Sequence, residues 1–89
     1  MSGTGKYPNG WSGIANSIRD RDNHRCVACG CSQSSKTFPV HHIDGDCSNC
    51  SEDNLVTLCP GCHTKVHKED EYAGYITLVA RQYVKLLAL

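Results

Sequence analysis

The chain has 89 residues, with nine basic and nine acidic side chains for a formal net charge of zero, and seven cysteines. A chain this short makes one domain and buries too little apolar surface to be comfortably stable without a metal, disulfides or a partner. Balanced charge counts against a protein that grips nucleic acid by bulk electrostatics, but allows a nuclease whose bound ion brings local positive charge. No stretch reaches the length of a transmembrane helix and no apolar leader is visible, so an intracellular protein without a membrane partner is expected.

Residues 1–10 are glycine-rich, end in the turn signal Pro8-Asn9-Gly10, and read as a flexible segment. The Gly3-Thr4-Gly5-Lys6 string has neither the glycine spacing nor the preceding strand of a phosphate loop. Residues 11–89 make up the single folded domain. Trp11, Ile14, Ala15 and Ile18 recur at i, i+3, i+4 and i+7, predicting an amphipathic helix over 11–23. Trp11 reads as its core anchor, and Arg19 and Arg21, mostly off the apolar stripe, as solvated charges.

Residues 26–31, with Gly30, have the shape of a tight knuckle, and 33–36 are loop-like. A strand is expected over 37–43, with Pro39 marking an edge or an irregular start. Asp44-Gly45-Asp46 turns the chain, 47–53 is a polar loop, and 55–58 is the returning strand. Pro60-Gly61 opens a helix that runs to about Lys68. Tyr72, Ile76, Val79, Tyr83, Leu86 and Leu87 predict a core-covering helix over 72–89.

Six of the seven cysteines fall in Cys-x-x-Cys pairs, at 26/29, 47/50 and 59/62. Such pairing favours metal in a reducing compartment over a disulfide framework. Cys26, Cys29, Cys59 and Cys62 are the candidate structural zinc ligands, because a tetrahedral site needs four thiolates and each knuckle supplies two. Structural zinc contributes on the order of 10–16 kcal/mol in small domains. Cys47 and Cys50 read as incidental or redox-labile. Their use in place of another pair, or toward a second ion, stays open, and Cys31 is an odd thiol without an assigned role.

Four of the five histidines run in the order His41-His42, eleven residues, Asn54, eight residues, His63, three residues, His67. Histidines at i and i+4 share one face of a helix, one turn apart, which suits two ligands of one ion. Neighbours on a strand point to opposite sides, so His41 and His42 are not both expected on that ion. His41, His63 and His67 would supply three nitrogens and leave the site open for catalysis. His42, off the metal and with an ordinary pKa near neutrality, is placed to take a proton from water. Lys65, on the same helix, reads as a solvated side chain rather than a phosphate contact.

The arrangement resembles the HNH nuclease family, in particular its ββα-metal members with two zinc knuckles. The resemblance rests on Cys26-x-x-Cys29, Val40-His41-His42-Ile43-Asp44, Asn54-Leu55-Val56-Thr57-Leu58-Cys59, Cys62-His63 and His67, and covers about residues 19–68. The double histidine and the final His-x-x-x-His are also similar to the nuclease domains of DNase colicins, which lack the knuckles. The resemblance implies a small zinc-stabilised α+β domain, with a β-hairpin and a helix around one divalent ion and flanking N- and C-terminal helices. It implies His42 as general base, His41, His63 and His67 as ligands of Mg2+, Mn2+, Ni2+, Co2+ or Zn2+, and Asn54 as the residue that braces the loop and orients the base. The implied reaction is hydrolysis of double-stranded DNA to 5′-phosphate and 3′-hydroxyl ends, in a bacterial or phage-encoded protein. Little chain is left for base readout, so a protein partner supplying specificity fits the pattern. A zinc-knuckle binding module that does not cut nucleic acid, and a redox sensor built on the extra thiols, are the competing readings.

Overall fold

A computed structural model describes residues 10–88. Residues 1–9 and 89 lie outside it, and with them most of the segment expected to be flexible and the Gly3-Thr4-Gly5-Lys6 string. The order is α1 (Trp11–Arg21), β1 (Val40–His42), a single 3-10 turn (Glu52–Asn54), β2 (Leu55–Thr57), α2 (Pro60–Lys68) and α3 (Asp70–Leu87). This is a small α+β architecture: a two-stranded antiparallel hairpin, three helices and a cluster of cysteines able to bind zinc.

Helix α1 buries Ala15 and Ile18 and stops at Arg21, two residues short of the expected end. Asn23 and His24 take positive φ values of 58° and 55°, a left-handed conformation that ends a right-handed helix. The hairpin is shorter than the expected strands. Only Val40–His42 and Leu55–Thr57 pair, in the register Val40↔Thr57, His41↔Val56, His42↔Leu55. Upstream, Pro39 has no N–H to donate, and the Phe38 N–H is taken by Gln33 Oε1 at 2.9 Å.

Every residue of both strands is buried, because each face of the hairpin is covered. On one side α1 packs Ala15 and Ile18 against Val40 and Leu55. On the other, Val56 and Leu58 join Cys26, Phe38, Val66, Ile76 and Ala80. Fully burying an aliphatic side chain contributes roughly 1.5–3 kcal/mol, so this two-sided arrangement sets the hairpin's place. Helix α3 begins at Asp70 rather than at 72, since Asp70 and Glu71 place negative charge in its first turn, where the helix dipole favours it. It ends at Leu87 rather than at 89. Leu86 and Leu87 are exposed rather than core-covering, because the core beneath α3 stops at Tyr83 and Val84.

Arg19 and Arg21 are partly buried and bonded to backbone carbonyls, where the sequence expectation had them as solvated charges. Arg19 Nε donates to Phe38 O at 2.7 Å. Arg21 donates through Nη1 to Glu52 O and through Nη2 to Leu55 O, both at 2.7 Å. These carbonyls lie at or beyond the ends of a short hairpin, where ladder donors run out, and a guanidinium fork supplies the missing N–H groups. Beside them the Asp22 carboxylate is fully buried. It accepts from Arg21 Nε at 2.8 Å, Thr57 N at 2.9 Å and Tyr83 Oη at 2.7 Å. One side chain thus joins α1, β2 and α3. Burial and the bond to Asp22 push the Tyr83 phenol up to about 12. Asp22→Ala takes the counter-charge from Arg21 and the acceptor from two further donors, and is expected to cost about 3–5 kcal/mol, with Asp22→Asn costing less. Urea unfolding of the zinc-loaded protein checks this, and equal midpoints for wild type and Asp22→Ala would remove Asp22 from that role.

Candidate metal centres and histidine cleft

The first knuckle is a tight turn. Cys26 N donates to Cys31 O and Gly30 N to Cys26 O, both at 2.8 Å, with Gly30 at φ 82°, a conformation glycine adopts without steric cost. Cys29 N points at Cys26 Sγ at 3.4 Å. The second knuckle repeats this contact, with Cys62 N at 3.4 Å from Cys59 Sγ, as Cys59 caps α2 and Pro60 opens its first turn. Val27 N donates to Thr57 O at 2.9 Å, tying the first knuckle to β2.

The four sulfurs of Cys26, Cys29, Cys59 and Cys62 lie within 4.8 Å of one another, and Cys29 Sγ is 3.8 Å from Cys59 Sγ. Tetrahedral zinc with Zn–S bonds of about 2.3 Å places sulfurs roughly 3.8 Å apart. The residues therefore fit zinc. Without an ion, burial pushes the Cys62 thiol up to about 12, a cost a coordinated cation removes by holding the thiolate. Tyr72 Oη donates to Cys62 Sγ at 3.3 Å, the kind of outer contact that orients a ligand. Lys65 is exposed, as its solvated reading expects, with Nζ 4.5 Å from the centre of the Tyr72 ring. Cys31, unassigned from sequence, places Sγ 3.4 Å from Cys29 Sγ. The fifth thiol thus borders the cluster, and its position two residues after Cys29 was the available signal.

The ring nitrogens of His41, His63 and His67 also come within 4.8 Å of one another, with His63 Nε2 and His67 Nε2 3.1 Å apart. Nitrogens bound to one ion at about 2.0–2.1 Å would be separated by roughly 3.0–3.4 Å, so this set fits a shared cation. His63 and His67 meet because they are one turn apart on α2. His41 meets them because β1 turns that side toward the helix. Burial, then the neighbouring imidazoles, push His41 down to about 4. Burial and His67 lower His63 as well. Both effects favour the neutral rings that a metal requires.

His42 faces the other side of β1. Its ring stacks on Trp11, with centroids 5.1 Å apart and planes inclined by 19°. Trp11 is therefore partner to an imidazole as well as an anchor of α1. His42 Nε2 lies 3.9 Å from Cys50 Sγ. Burial lowers its pKa, opposed by Asp44 and Asp46. The four histidines nevertheless open onto one cleft of about 100 Å³, together with Gly45 and Cys47. A larger hollow of about 410 Å³, among Arg81, Gln82, Lys85 and Leu86, contains none of the candidate residues.

Asn54 is buried and closes the loop after His42. Its Oδ1 accepts from Asp44 N at 3.1 Å, and its Nδ2 donates to Asp44 Oδ1 at 2.9 Å and Asn49 O at 3.0 Å. Hydrogen bonds from Asn49, Asp46 N and Asn54 hold the Asp44 carboxyl down at about 2. The sequence reading placed Asp44 in a turn and in the resembling motif but gave it no role. Its place two residues after the double histidine was the signal for more.

Compared with known proteins, the chain is similar to the Zorya protein ZorE of Escherichia coli, 34% identical over 61 residues. The match takes in 66% of this chain and 17% of ZorE, so the chain spans about a sixth of that relative. No family model matches, and no solved structure matches. Among the described residues no helix is long and apolar enough to cross a membrane.

Zinc binding worth on the order of 10–16 kcal/mol would match or exceed the usual 5–15 kcal/mol stability of a whole domain. A strong chelator, or Cys29→Ser, is therefore expected to abolish the cooperative thermal transition seen by circular dichroism, with loss of bound zinc by elemental analysis. A transition unchanged after zinc removal would refute the structural role.

Proposed function

We propose that this chain is a metal-dependent endonuclease of the HNH type, hydrolysing phosphodiester bonds in double-stranded DNA. One observation carries the reading. Three imidazoles converge behind β1 while a fourth, from the adjacent residue, faces away from them, and all four border one cleft. A binding module needs no such division of labour.

His41, His63 and His67 would hold the ion. When bound, a divalent ion supplies Lewis-acid stabilisation of charge developing on phosphate oxygens. Three neutral nitrogens favour Ni2+, Co2+, Zn2+ or Mn2+ by affinity, with Mg2+ preferring oxygen. His42, held neutral by burial, takes the proton of an attacking water as general base. Trp11 limits rotation of its ring, and Asn54 holds the following loop through Asp44. The similarity to ZorE of Escherichia coli supports a bacterial setting. Among the described residues only short segments lie outside the core and the two candidate metal centres, so these residues offer little base readout, and a protein partner would supply the specificity.

His42→Ala is expected to keep both metals and the fold and to lose about 10²–10⁴-fold in cleavage. Nicking of supercoiled plasmid with Mn2+, Ni2+ or Mg2+, against an EDTA control, measures it. Near-normal nicking by His42→Ala would remove the residue from the role of base, and inert wild type with every ion would favour the binding module. The sign with pH follows from the lowered pKa of His42. Its base form is lost as pH falls through that value, so the rate should rise with pH and level off near or below about 6.5, the ordinary imidazole value.

A further inference from the structure

Cys47 and Cys50 belong to neither metal centre, yet they stand beside the cleft. Both lie on the loop between His42 and Asn54 and both are partly exposed. A tight turn, with Asn49 N donating to Asp46 O at 3.0 Å, folds the stretch back on itself. Cys50 Sγ is thereby 3.7 Å from Cys47 O and 3.9 Å from His42 Nε2. Cys47 lines the same cleft as the four histidines. Partly exposed thiols at Cys-x-x-Cys spacing are open to an oxidant as buried ones are not, and the His42 imidazole stands within reach to take a thiol proton.

We infer that Cys47 and Cys50 form a reversible dithiol, oxidised by hydrogen peroxide and reduced by low-molecular-weight thiols, that controls the cleft. The control of cleavage rests on the nuclease reading, whereas the modification itself does not. In the first step one thiol sulfur attacks the peroxide O–O bond. That bond breaks, a sulfenic acid forms and one water leaves. The second thiol then attacks the sulfenic sulfur, the S–O bond breaks, the S–S bond forms and a second water leaves. Two thiols and one peroxide give one disulfide and two waters, with two electrons passing from sulfur to oxygen. A disulfide holds its Cβ atoms about 3.5–4.5 Å apart, so once formed it fixes Cys50 Sγ on Cys47, and the sulfur now 3.9 Å from His42 Nε2 is no longer free to adjust beside that ring. Asp44 and Asn54 pin both ends of the loop, so the rearrangement falls on the cleft.

The test uses the zinc-loaded full chain, reduced and then treated with one equivalent of hydrogen peroxide, alkylated, digested and weighed. The peptide carrying Cys47 and Cys50 is expected to lose two hydrogens and to escape alkylation, with zinc content unchanged and dithiothreitol reversing the change. Nicking is expected to fall about ten- to a hundredfold on oxidation, at or below the lower bound of the roughly 10²–10⁴-fold that a positioned base contributes. In Cys47→Ser and Cys50→Ser the ratio of treated to untreated nicking should stay near one within each variant. Free alkylation of both residues after peroxide, or oxidation confined to the zinc thiols with loss of zinc, would overturn the inference. So would a disulfide that leaves wild-type nicking unchanged. If reduced wild type never nicks, the nuclease reading fails, and the alkylation pattern still decides for or against the dithiol.

Discussion

The structure depends on two Cys-x-x-Cys turns closing on one point. Cys59 and Cys62 lie at the start of α2, and Cys26 and Cys29 lie on a turn bonded to β2. A nine-residue helix is marginal on its own in water. Sulfur at its first turn, with the burial of Val66, gives it a fixed origin and direction. His63 and His67 then project from the following turns toward β1. The spacing from Cys62 to His67 therefore couples the stability of one centre to the geometry of the other.

The hairpin supplies the second constraint. It is short enough that its backbone groups cannot all be satisfied by its own ladder, and α1 makes up the difference with Arg19, Arg21 and Asp22. These contacts also bring Trp11 over His42. A helix that looks like a lid on the core thus has a polar function at its C-terminal end and an aromatic one at its start. The two faces of β1 receive different partners: an indole on one side, two imidazoles on the other.

Much of this was legible in the residues. The cysteine spacings named the thiolate cluster, and Pro60 and Lys68 marked the ends of α2. The alternation of a strand separated His41 from His42. What was not legible depended on distance along the chain. Asp22 meets Thr57 and Tyr83, 35 and 61 residues away, and no local pattern announces a buried carboxylate just past a helix end. Arg21 read as a surface charge because the carbonyls that receive it are brought close only by the fold; Lys65 is exposed as expected, and only the ring beside it was out of sight. Leu86 and Leu87 kept helical periodicity beyond the point where there was core to cover. Cys31, Cys47 and Cys50 had clear spacings, but which site each would border needed the loops' paths.

The ladder that presents the double histidine is three residue pairs long. Sliding one strand past the other by a single position would exchange the two imidazoles, since parity along a strand decides the side. The ring now under the indole would face α2, and its neighbour would occupy the vacated place. The two cysteine turns lie outside the ladder, but Val40 would change faces with the rings and leave Ala15 and Ile18 of α1, so the slip would cost packing as well. The stretch from Val40 to Asp44 is therefore under a constraint of length as well as of composition: its two imidazoles must be kept, and so must the residue count that decides which side each one faces.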